Sequence, residues 1–340
     1  MEPKDITYQL LEAITDGFSK ERKLGQGGYG KVYKGVHKTG EEIAVKILHA
    51  HLIHNDELFQ NEFENLMRLK HDNIVRLVGY CYQSQGKHIK LNGKYSSHIE
   101  HSASEYMSNG SLQNHLSDEC DRLDWCTSYG IIKGTCEGLR YLHEGSEQSI
   151  YHLDLKPDNI LLDKDMVAKL ADFGLSKILK SKQTITTGNA IGTLGKVSSK
   201  YDIFSLGVVI IQIVTGPAGY SKVDEMSSQE FIDMAQRKWK KKLQAAFSGS
   251  LLDEYCRQVK VCTEIALSCV ETDRNKRPSI VAIIDRLNEA EAAIDKFKVS
   301  TITFGIMHHT IPQRIQHFIN IKLKARGKFL FIHCNCRASA

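Results

Sequence analysis

Apolar and polar positions follow two different periods along the chain. Residues 43–48 alternate between the two as a strand does, and residues 74–78 form a second short apolar patch. Between them, residues 56–69 repeat apolar side chains at helical spacing. From about residue 108 onward the helical period dominates, most clearly over 208–214 and 280–294. The pattern predicts an α+β fold in which a small strand-rich part is joined to a larger helical part.

The composition is typical of a folded protein with a sizeable core. Of the 340 residues, 41% are apolar and 25% are charged, which excludes the collagen-like, disordered and disulfide-scaffold classes. The nine cysteines are an odd number without metal-like grouping, so we expect reduced thiols. No apolar run approaches the ~18 residues of a membrane span, and the N-terminus lacks the layout of a signal peptide. These features predict a cytoplasmic protein.

The positive charge is concentrated at the C-terminal end. Residues 296–340 hold eight Lys or Arg and no Asp or Glu. Removing those eight charges from the net charge of +5 leaves −3 for residues 1–295. A slightly acidic body argues against a specific nucleic-acid partner. The tail is interpreted as a poorly ordered appendage or, alternatively, as a basic patch that contacts anionic membranes weakly.

A glycine-dense stretch precedes the first predicted strand. Gly25, Gly27 and Gly30 are spaced so that backbone N–H groups can approach phosphate oxygens without obstruction from a Cβ atom. A dinucleotide-binding fold would require a helix next, whereas residues 32–36 alternate like a strand, so that fold is excluded. A glycine-rich hairpin that binds no ligand is the remaining alternative.

A lysine and a glutamate are candidates for a buried ion pair. In the strand over 43–48, Ala44 and Lys46 share one face, which fits a cation that points into a cleft beside a small side chain. Glu62 lies on the apolar face of the helix predicted over 56–69, where an acid is costly unless it is paired. The alternatives are a lysine that extends to solvent from an edge strand and a glutamate placed there by chance.

The strongest chemical signal is a pair of neighbouring motifs. Asp154, Lys156 and Asn159 lie within one predicted loop, and Asp172 follows in an Asp-Phe-Gly triplet. Phosphoryl transfer needs a carboxylate that accepts the hydroxyl proton, a cation at the moving phosphoryl group and oxygen ligands for Mg²⁺. An unrelated turn followed by a cap would rarely combine these four residues.

Taken in order, these motifs resemble the eukaryotic protein kinases over residues 18–295. Lys156, two residues after Asp154, is similar to the serine/threonine class. Four segments are similar to plant receptor-like kinases: residues 8–19, 32–35, 106–112 and 138–143. The resemblance implies a two-lobed fold, with an antiparallel-sheet N-lobe plus one helix over about 18–107 and a mainly helical C-lobe over about 108–295. Residues 1–17 would be a juxtamembrane-like segment, and 296–340 a basic tail.

The resemblance also implies an ATP site in the cleft. Lys46 would position the α- and β-phosphates, and Glu62 would hold Lys46 in place. The remaining residues implied for the ATP site belong to the glycine loop, the adenine pocket and the hinge: Leu24, Gly25, Gly27, Gly30, Val32, Ala44, Glu105, Met107 and Leu161.

For the reaction itself, the resemblance implies that Asp154 is the catalytic base and that Lys156 neutralises the γ-phosphoryl group. Asn159 and Asp172 would bind Mg²⁺, and Asp202 would support the catalytic loop. A base of this kind contributes typically ~10²–10⁴-fold to the rate.

Three departures from the family pattern bear on activity. Leu153 replaces the usual arginine before the catalytic Asp, so a phosphate on the activation segment has no such arginine to bind. After Gly195 the chain lacks the Ala/Pro-Pro-Glu segment that forms the substrate shelf, and Arg277 lacks its usual glutamate partner. A buried Arg277 without a partner would cost on the order of 3–5 kcal/mol. Residues 101–104 are polar where an apolar strand is usual, which predicts a distorted sheet.

Together these features predict a cytoplasmic receptor-like serine/threonine kinase, peripheral at the plasma membrane. Its expected partners are ATP, a protein substrate with Ser or Thr, and a membrane receptor kinase. The main alternative is a pseudokinase that binds nucleotide or a partner kinase without catalysing transfer. A second alternative is that the missing segment and the tail prevent independent folding.

Overall fold

A computed structural model describes residues 4–27, 30–48, 67, 69–91, 94–116, 123–145, 149–173, 177–179 and 198–307. Within these ranges the backbone alone is described at residues 48, 82–100, 177–179 and 298–307. The helix predicted over 56–69 falls outside them except at residues 67 and 69, and so does the tail beyond residue 307.

The N-terminal part contains six strands: β1 (Lys4–Asp5), β2 (Lys23–Gln26), β3 (Gly30–Val36), β4 (Glu42–Leu48), β5 (Leu77–Leu91) and β6 (Lys94–Glu105). They form one sheet in the order β1-β5-β6-β4-β3-β2. All neighbouring strands are antiparallel except β1 and β5, which are parallel. The register places Val32 opposite Lys46 on β3 and β4, and Ala44 opposite Ser104 on β4 and β6.

Helix α1 (Tyr8–Ile14) covers one face of this sheet. Its Leu11 and Ile14 form a buried cluster with four sheet residues: Ile43, Val45, Cys81 and Ala103. Because side chains alternate along β4, burying Ile43 and Val45 against α1 directs Ala44 and Lys46 to the opposite face. The segment before residue 18 thereby fixes which face of the sheet is free for a ligand.

Strand β6 pairs with β4 in regular register, from Ile43 opposite Glu105 to Ile47 opposite His101. The polar residues over 101–104 therefore do not interrupt this ladder, because backbone hydrogen bonds carry the pairing and Ala103 and His101 are buried. The register shifts lie instead between β5 and β6, near residues 77–79 and 84–89.

The C-terminal part is built from helices α2 (Trp125–Arg140), α3 (Lys200–Thr215), α4 (Ser228–Leu243), α5 (Gly249–Cys269) and α6 (Ile280–Met307). It also contains two short antiparallel pairs: β7 (Ser149–Tyr151) with β10 (Lys177–Leu179), and β8 (Ile160–Leu162) with β9 (Ala168–Leu170). The α+β architecture predicted from the sequence is confirmed.

Helix α3 is the centre of the helical core. It packs closely on α5, since a Cβ atom at Gly207 would lie 2.6 Å from the Cβ of Cys269. Two buried tryptophans tie the surrounding helices together by hydrogen bonds, Trp125 Nε1 to Gln258 Oε1 (2.7 Å) and Trp239 Nε1 to the Val214 carbonyl (2.8 Å). Close packing and these two buried hydrogen bonds make this part a rigid base for the loops above it.

Helix α6 continues to Met307, past the domain boundary predicted at residue 295. Within the described ranges, we find no helix whose length and apolarity would let it cross a membrane.

Candidate active site

The face of β4 opposite α1 carries the lysine predicted from the strand pattern. Lys46 Nζ donates a hydrogen bond of 2.9 Å to Asp172 Oδ1, and the two side chains are 16% and 27% exposed. This contact joins the N-terminal sheet to the segment that follows β9. Burial by itself would raise the pKa of Asp172, but the Lys46 ammonium outweighs it and holds that pKa below its ordinary value. Asp172 is therefore an anion at neutral pH.

The loop between β7 and β8 holds a second charged cluster. Lys156 Nζ donates to Asp154 Oδ2 at 2.8 Å, and Asn159 Nδ2 donates to the same oxygen at 2.9 Å. Asn159 Nδ2 also donates to the Asp154 backbone carbonyl at 2.8 Å. Partial burial would lower the pKa of Lys156, yet its bond to Asp154 raises it above the ordinary value. The Asp154 carboxylate is thus held in one orientation by two neighbouring donors.

These two clusters lie side by side. The Ala171 N–H donates to the Asn159 carbonyl at 2.9 Å, which places the loop of Asp154 against the residue before Asp172. The His152 Nε2 atom lies 3.0 Å from the Ala171 carbonyl, and its ring packs on Phe173 with the centroids 5.1 Å apart. The electrostatic influence of Lys156 on Asp172 agrees with this proximity.

A buried carboxylate on α3 supports the loop from the helical core. Asp202 is fully buried and accepts the N–H groups of His152 and Leu153 at 2.9 and 2.7 Å. Its Oδ2 also lies 2.8 Å from Nε2 of the buried His143. Leu153 has a φ of +63°, which is unfavourable for a residue with a Cβ atom, so these bonds hold the loop in a strained conformation directly before Asp154.

The glycine loop between β2 and β3 is described at Gly25, Gly27 and Gly30. The Gly27 N–H donates to the Gly30 carbonyl at 2.9 Å, which closes the turn. A Cβ atom at Gly25 or Gly27 would meet no atom within 4 Å, and neither residue has a positive φ. Packing within the described protein therefore does not demand glycine there, whereas a ligand that approaches the backbone closely would.

The end of β6 contains the predicted hinge residues. Glu105 accepts the Arg76 N–H at 2.9 Å and forms an ion pair with Lys169 on β9 at 3.2 Å, so its side chain is turned toward the helical part. Met107 is 6% exposed, and its carbonyl accepts the Gly110 N–H at 3.1 Å.

The other implied adenine contacts are distributed over four strands. Val32 and Ala44 are partly buried. Val32 lies opposite Lys46 on β4, and Ala44 lies opposite Ser104 on β6. Leu161 is partly buried between the fully buried Ile160 and Leu162, and Leu24 is 46% exposed. These four positions are available to a ligand rather than absorbed into the core.

Two oxygens in this site have the chemistry that Mg²⁺ requires. The Oδ1 atom of Asn159 and the Oδ2 atom of Asp172 accept no hydrogen bond from the described residues. Amide and carboxylate oxygens are the ligands that Mg²⁺ prefers, together with phosphate oxygens of a substrate. The side-chain oxygens of Asn159 and Asp172 are therefore suited to binding Mg²⁺. Across the described ranges, this site included, there is no cluster of three or more His, Cys, Asp or Glu that could hold a metal ion.

Of the residues singled out in the sequence, the structure brings together Lys46 and Asp172, and Asp154 with Lys156 and Asn159. Glu62 lies outside the described residues, so its contact with Lys46 stays a prediction. Two partners were missed, Lys169 for Glu105 and His143 for Asp202. Each pair is separated by more than fifty residues, and no local pattern indicates such a contact.

The contacts of Arg277 differ from those that the sequence predicted. It is half-buried, donating from Nε to the Glu271 carbonyl at 2.8 Å and from Nη1 to the Lys200 carbonyl at 3.0 Å. Its guanidinium lies 4.8 Å from the ring centroid of Phe204. Backbone carbonyls and an aromatic ring thus take the place of an acid, and the expected cost of a buried, unpaired charge is largely avoided.

Comparison with known proteins gives one consistent result. The pattern described as the protein kinase domain matches residues 18–287. Cysteine-rich receptor-like protein kinase 29 of Arabidopsis thaliana is 36% identical over 302 residues, which cover 83% of this chain and 42% of that protein. Cysteine-rich receptor-like protein kinase 5 of the same plant is 35% identical over 303 residues, 84% of this chain and 44% of the relative.

A relative of a different type aligns over the same region. G-type lectin S-receptor-like serine/threonine-protein kinase SD1-13 of Arabidopsis thaliana is 33% identical over 306 residues, which cover 86% of this chain and 35% of that protein. The chain therefore spans less than half the length of these relatives.

Proposed function

Because this chain belongs to the protein kinase family, we propose that it is an ATP- and Mg²⁺-dependent serine/threonine kinase that acts in signalling. It transfers the γ-phosphoryl group of ATP to Ser or Thr hydroxyls of a protein. The observation that carries the proposal is the contact between Lys46 and Asp172 beside the cluster of Asp154, Lys156 and Asn159. Their charges suit a triphosphate, a divalent cation and a hydroxyl group.

The ATP molecule lies between the sheet and the helical part. Gly25, Gly27 and Gly30 offer backbone N–H groups to the phosphates, and Lys46 holds the α- and β-phosphates. The adenine ring packs against Val32, Ala44 and Leu161, with the backbone of Glu105 and Met107 at its edge. Glu62 orients Lys46. Because Lys46 is held by Asp172 at 2.9 Å, the cation is positioned before ATP arrives.

The chemical step requires a base, a cation and a positioned metal ion. Asp154 accepts the proton of the substrate hydroxyl as that oxygen bonds to the γ-phosphorus and the bond to the β–γ bridging oxygen breaks. Lys156 faces the charge on the moving phosphoryl group. Asn159 and Asp172 supply oxygens for Mg²⁺, which neutralises charge on the phosphates when it is bound. The leaving group is ADP.

The experiment that tests this proposal is phosphate transfer from γ-labelled ATP to the chain itself and to a general Ser/Thr protein substrate. Lys46→Met removes the cation that positions the phosphates, and we expect transfer to fall by at least 100-fold. Lys38→Met, a matched change in an exposed turn, is expected to leave the rate within twofold. Equal rates for the unchanged chain and Lys46→Met would overturn the proposal.

A pseudokinase is the second candidate, and one observation favours it. The chain runs from Gly195 to the start of α3 at Lys200 without the Ala/Pro-Pro-Glu segment, and Arg277 is satisfied by carbonyls instead of an acid. In that case the chain would bind nucleotide or a partner kinase without turnover. Stabilisation by Mg·ATP in a thermal melt with no labelled product would support this candidate.

The context of the proposed kinase follows from its relatives and its sequence. The relatives are named receptor-like kinases, which favours a membrane receptor kinase as a partner and a location at the inner face of the plasma membrane. In this proposal the kinase domain covers about residues 18–295. Residues 1–17 are a juxtamembrane-like segment that packs on the sheet, and the basic tail of 296–340 makes weak contact with anionic lipid.

A further inference from the structure

A cavity lies beside the first turn of α3, the turn that also carries Asp202. It has a volume of about 360 Å³ and lies between Lys200 and Tyr201 on one side and the turn over 272–277 on the other. None of the described residues assigned to the ATP and Mg²⁺ sites lines it. Its size is at the lower end of the range for ligand pockets and exceeds what a single carboxylate fills.

The lining of the cavity is strongly cationic. Lys200, Arg274 and Arg277 contribute three positive charges, and Asp273 is the single acid among the lining residues. Asp273 is already engaged, because its Oδ1 accepts the Asn275 N–H at 2.9 Å at the start of a short 3₁₀ turn. The described lining residues therefore carry a net charge of +2.

Two of these cations are fixed in place without being neutralised. Arg277 uses two of its five N–H donors on backbone carbonyls, and no described carboxylate forms an ion pair with it. The Lys200 ammonium donates to the carbonyls of Arg277 and Pro278. Arg274 is exposed: its carbonyl accepts the Arg277 N–H, and its guanidinium forms no hydrogen bond or ion pair with the described residues. Fixed positive charges with unused donors are suited to an incoming anion.

We propose that this cavity binds the phosphate group of a phosphorylated Ser or Thr side chain on a partner peptide. A phosphomonoester carries a charge of about −1.5 to −2 at neutral pH, which matches the +2 of the lining, whereas a carboxylate would leave one positive charge unbalanced. The guanidinium forks of Arg274 and Arg277 fit phosphate oxygens with paired N–H donors. The volume in excess of a phosphate accommodates the adjoining peptide backbone. This proposal does not depend on catalysis by the chain.

The test is a binding titration of the full chain with fluorescent peptides, without nucleotide. The probe is a Gly/Ala peptide with one phosphoserine, and its twins carry serine or glutamate at that position. We expect the phosphoserine peptide to bind at least tenfold more tightly than either twin. Arg274→Gln should weaken its binding about tenfold, the loss of one charge-assisted contact. Lys276→Gln, an exposed cation in the same turn that does not line the cavity, should change it less than twofold.

Two results would overturn the proposal. One is equal binding of the phosphoserine peptide and either twin, including no measurable binding of any of them. The other is an equal effect of Arg274→Gln and Lys276→Gln, which would indicate general charge attraction instead of a site. Both variants change exposed side chains, and matching melting temperatures show that folding is intact. Because no ATP is present, this outcome is independent of phosphoryl transfer.

Discussion

Replacing Asp202 by alanine should both destabilise the protein and abolish phosphoryl transfer. The carboxylate is fully buried, and it accepts two backbone N–H groups at 2.9 and 2.7 Å and lies 2.8 Å from His143 Nε2. Each buried donor left without a partner costs about 1–3 kcal/mol. The two N–H groups of His152 and Leu153 alone therefore cost about 2–6 kcal/mol. That is a large share of the ~5–15 kcal/mol by which a typical domain is stable.

The same change should disturb the catalytic loop. Leu153 keeps its φ of +63° against a penalty of about 1–2 kcal/mol for a residue with a Cβ atom. Once the bonds to Asp202 are lost, the loop can relax, and Asp154, the next residue, moves with it. Asp202→Asn should have a smaller effect on stability, because the amide oxygen can take the place of Oδ2, which accepts the His152 N–H and contacts His143 Nε2.

Urea unfolding followed by tryptophan fluorescence measures the loss of stability. The two tryptophans of the chain, Trp125 and Trp239, are both buried, with ring centroids 4.9 Å apart. Their emission will shift when the helical core unfolds. Asp253→Ala, an exposed position on α5, is the matched control and should stay within about 0.5 kcal/mol of the unchanged chain. An Asp202→Ala variant whose free energy of unfolding lies within 1 kcal/mol of the unchanged chain would contradict this role of Asp202.

Three further predictions concern charge and burial. Arg277→Met should lower the free energy of unfolding by about 1–3 kcal/mol, because two hydrogen bonds and the contact with Phe204 are lost; no change in urea melts would contradict this. The pKa of Asp172 is lowered in the folded state, so its negative charge stabilises the fold fully at pH values above the ordinary carboxyl pKa of ~3.9. The free energy of unfolding of the unchanged chain should therefore fall relative to that of Asp172→Asn as the pH drops below about 4. Parallel plots of the two unfolding free energies against pH would contradict this expectation. Burial raises the pKa of the thiols of Cys136, Cys262 and Cys269, to about 12 for Cys269. Iodoacetamide should therefore label these three thiols only after unfolding, and peptide mass spectrometry would detect the label.

The fold class could be predicted because it depends on periodicity, which is local. The alternation over 43–48 placed Lys46 on the face opposite Ile43 and Val45, and the structure buries those two residues under α1. The regular pairing of residues 101–105 could not be foreseen from their polar side chains. It depends on the backbone ladder with β4, which strand propensity does not describe.

The candidate site was predictable as a set of residues but less so as a set of contacts. The loop spacing of Asp154, Lys156 and Asn159 led directly to their mutual hydrogen bonds, since they lie within six residues. The contact of Lys46 with Asp172 spans 126 positions, and the sequence alone offered Glu62 as the partner. Arg277 shows the same limit, because backbone carbonyls that could accept its bonds have no signature in the sequence.

Two aspartates of the same loop distinguish a catalytic base from a nearby surface charge. Asp154 is held by Lys156 and Asn159, whereas Asp158, four positions on, is exposed. At saturating Mg·ATP, the rate of labelled phosphate transfer should fall at least 100-fold in Asp154→Asn, the lower range for a general base. It should stay within twofold in Asp158→Asn. Transfer that is equally affected by both substitutions, or by neither, would contradict the assignment of Asp154 as the base of a protein kinase.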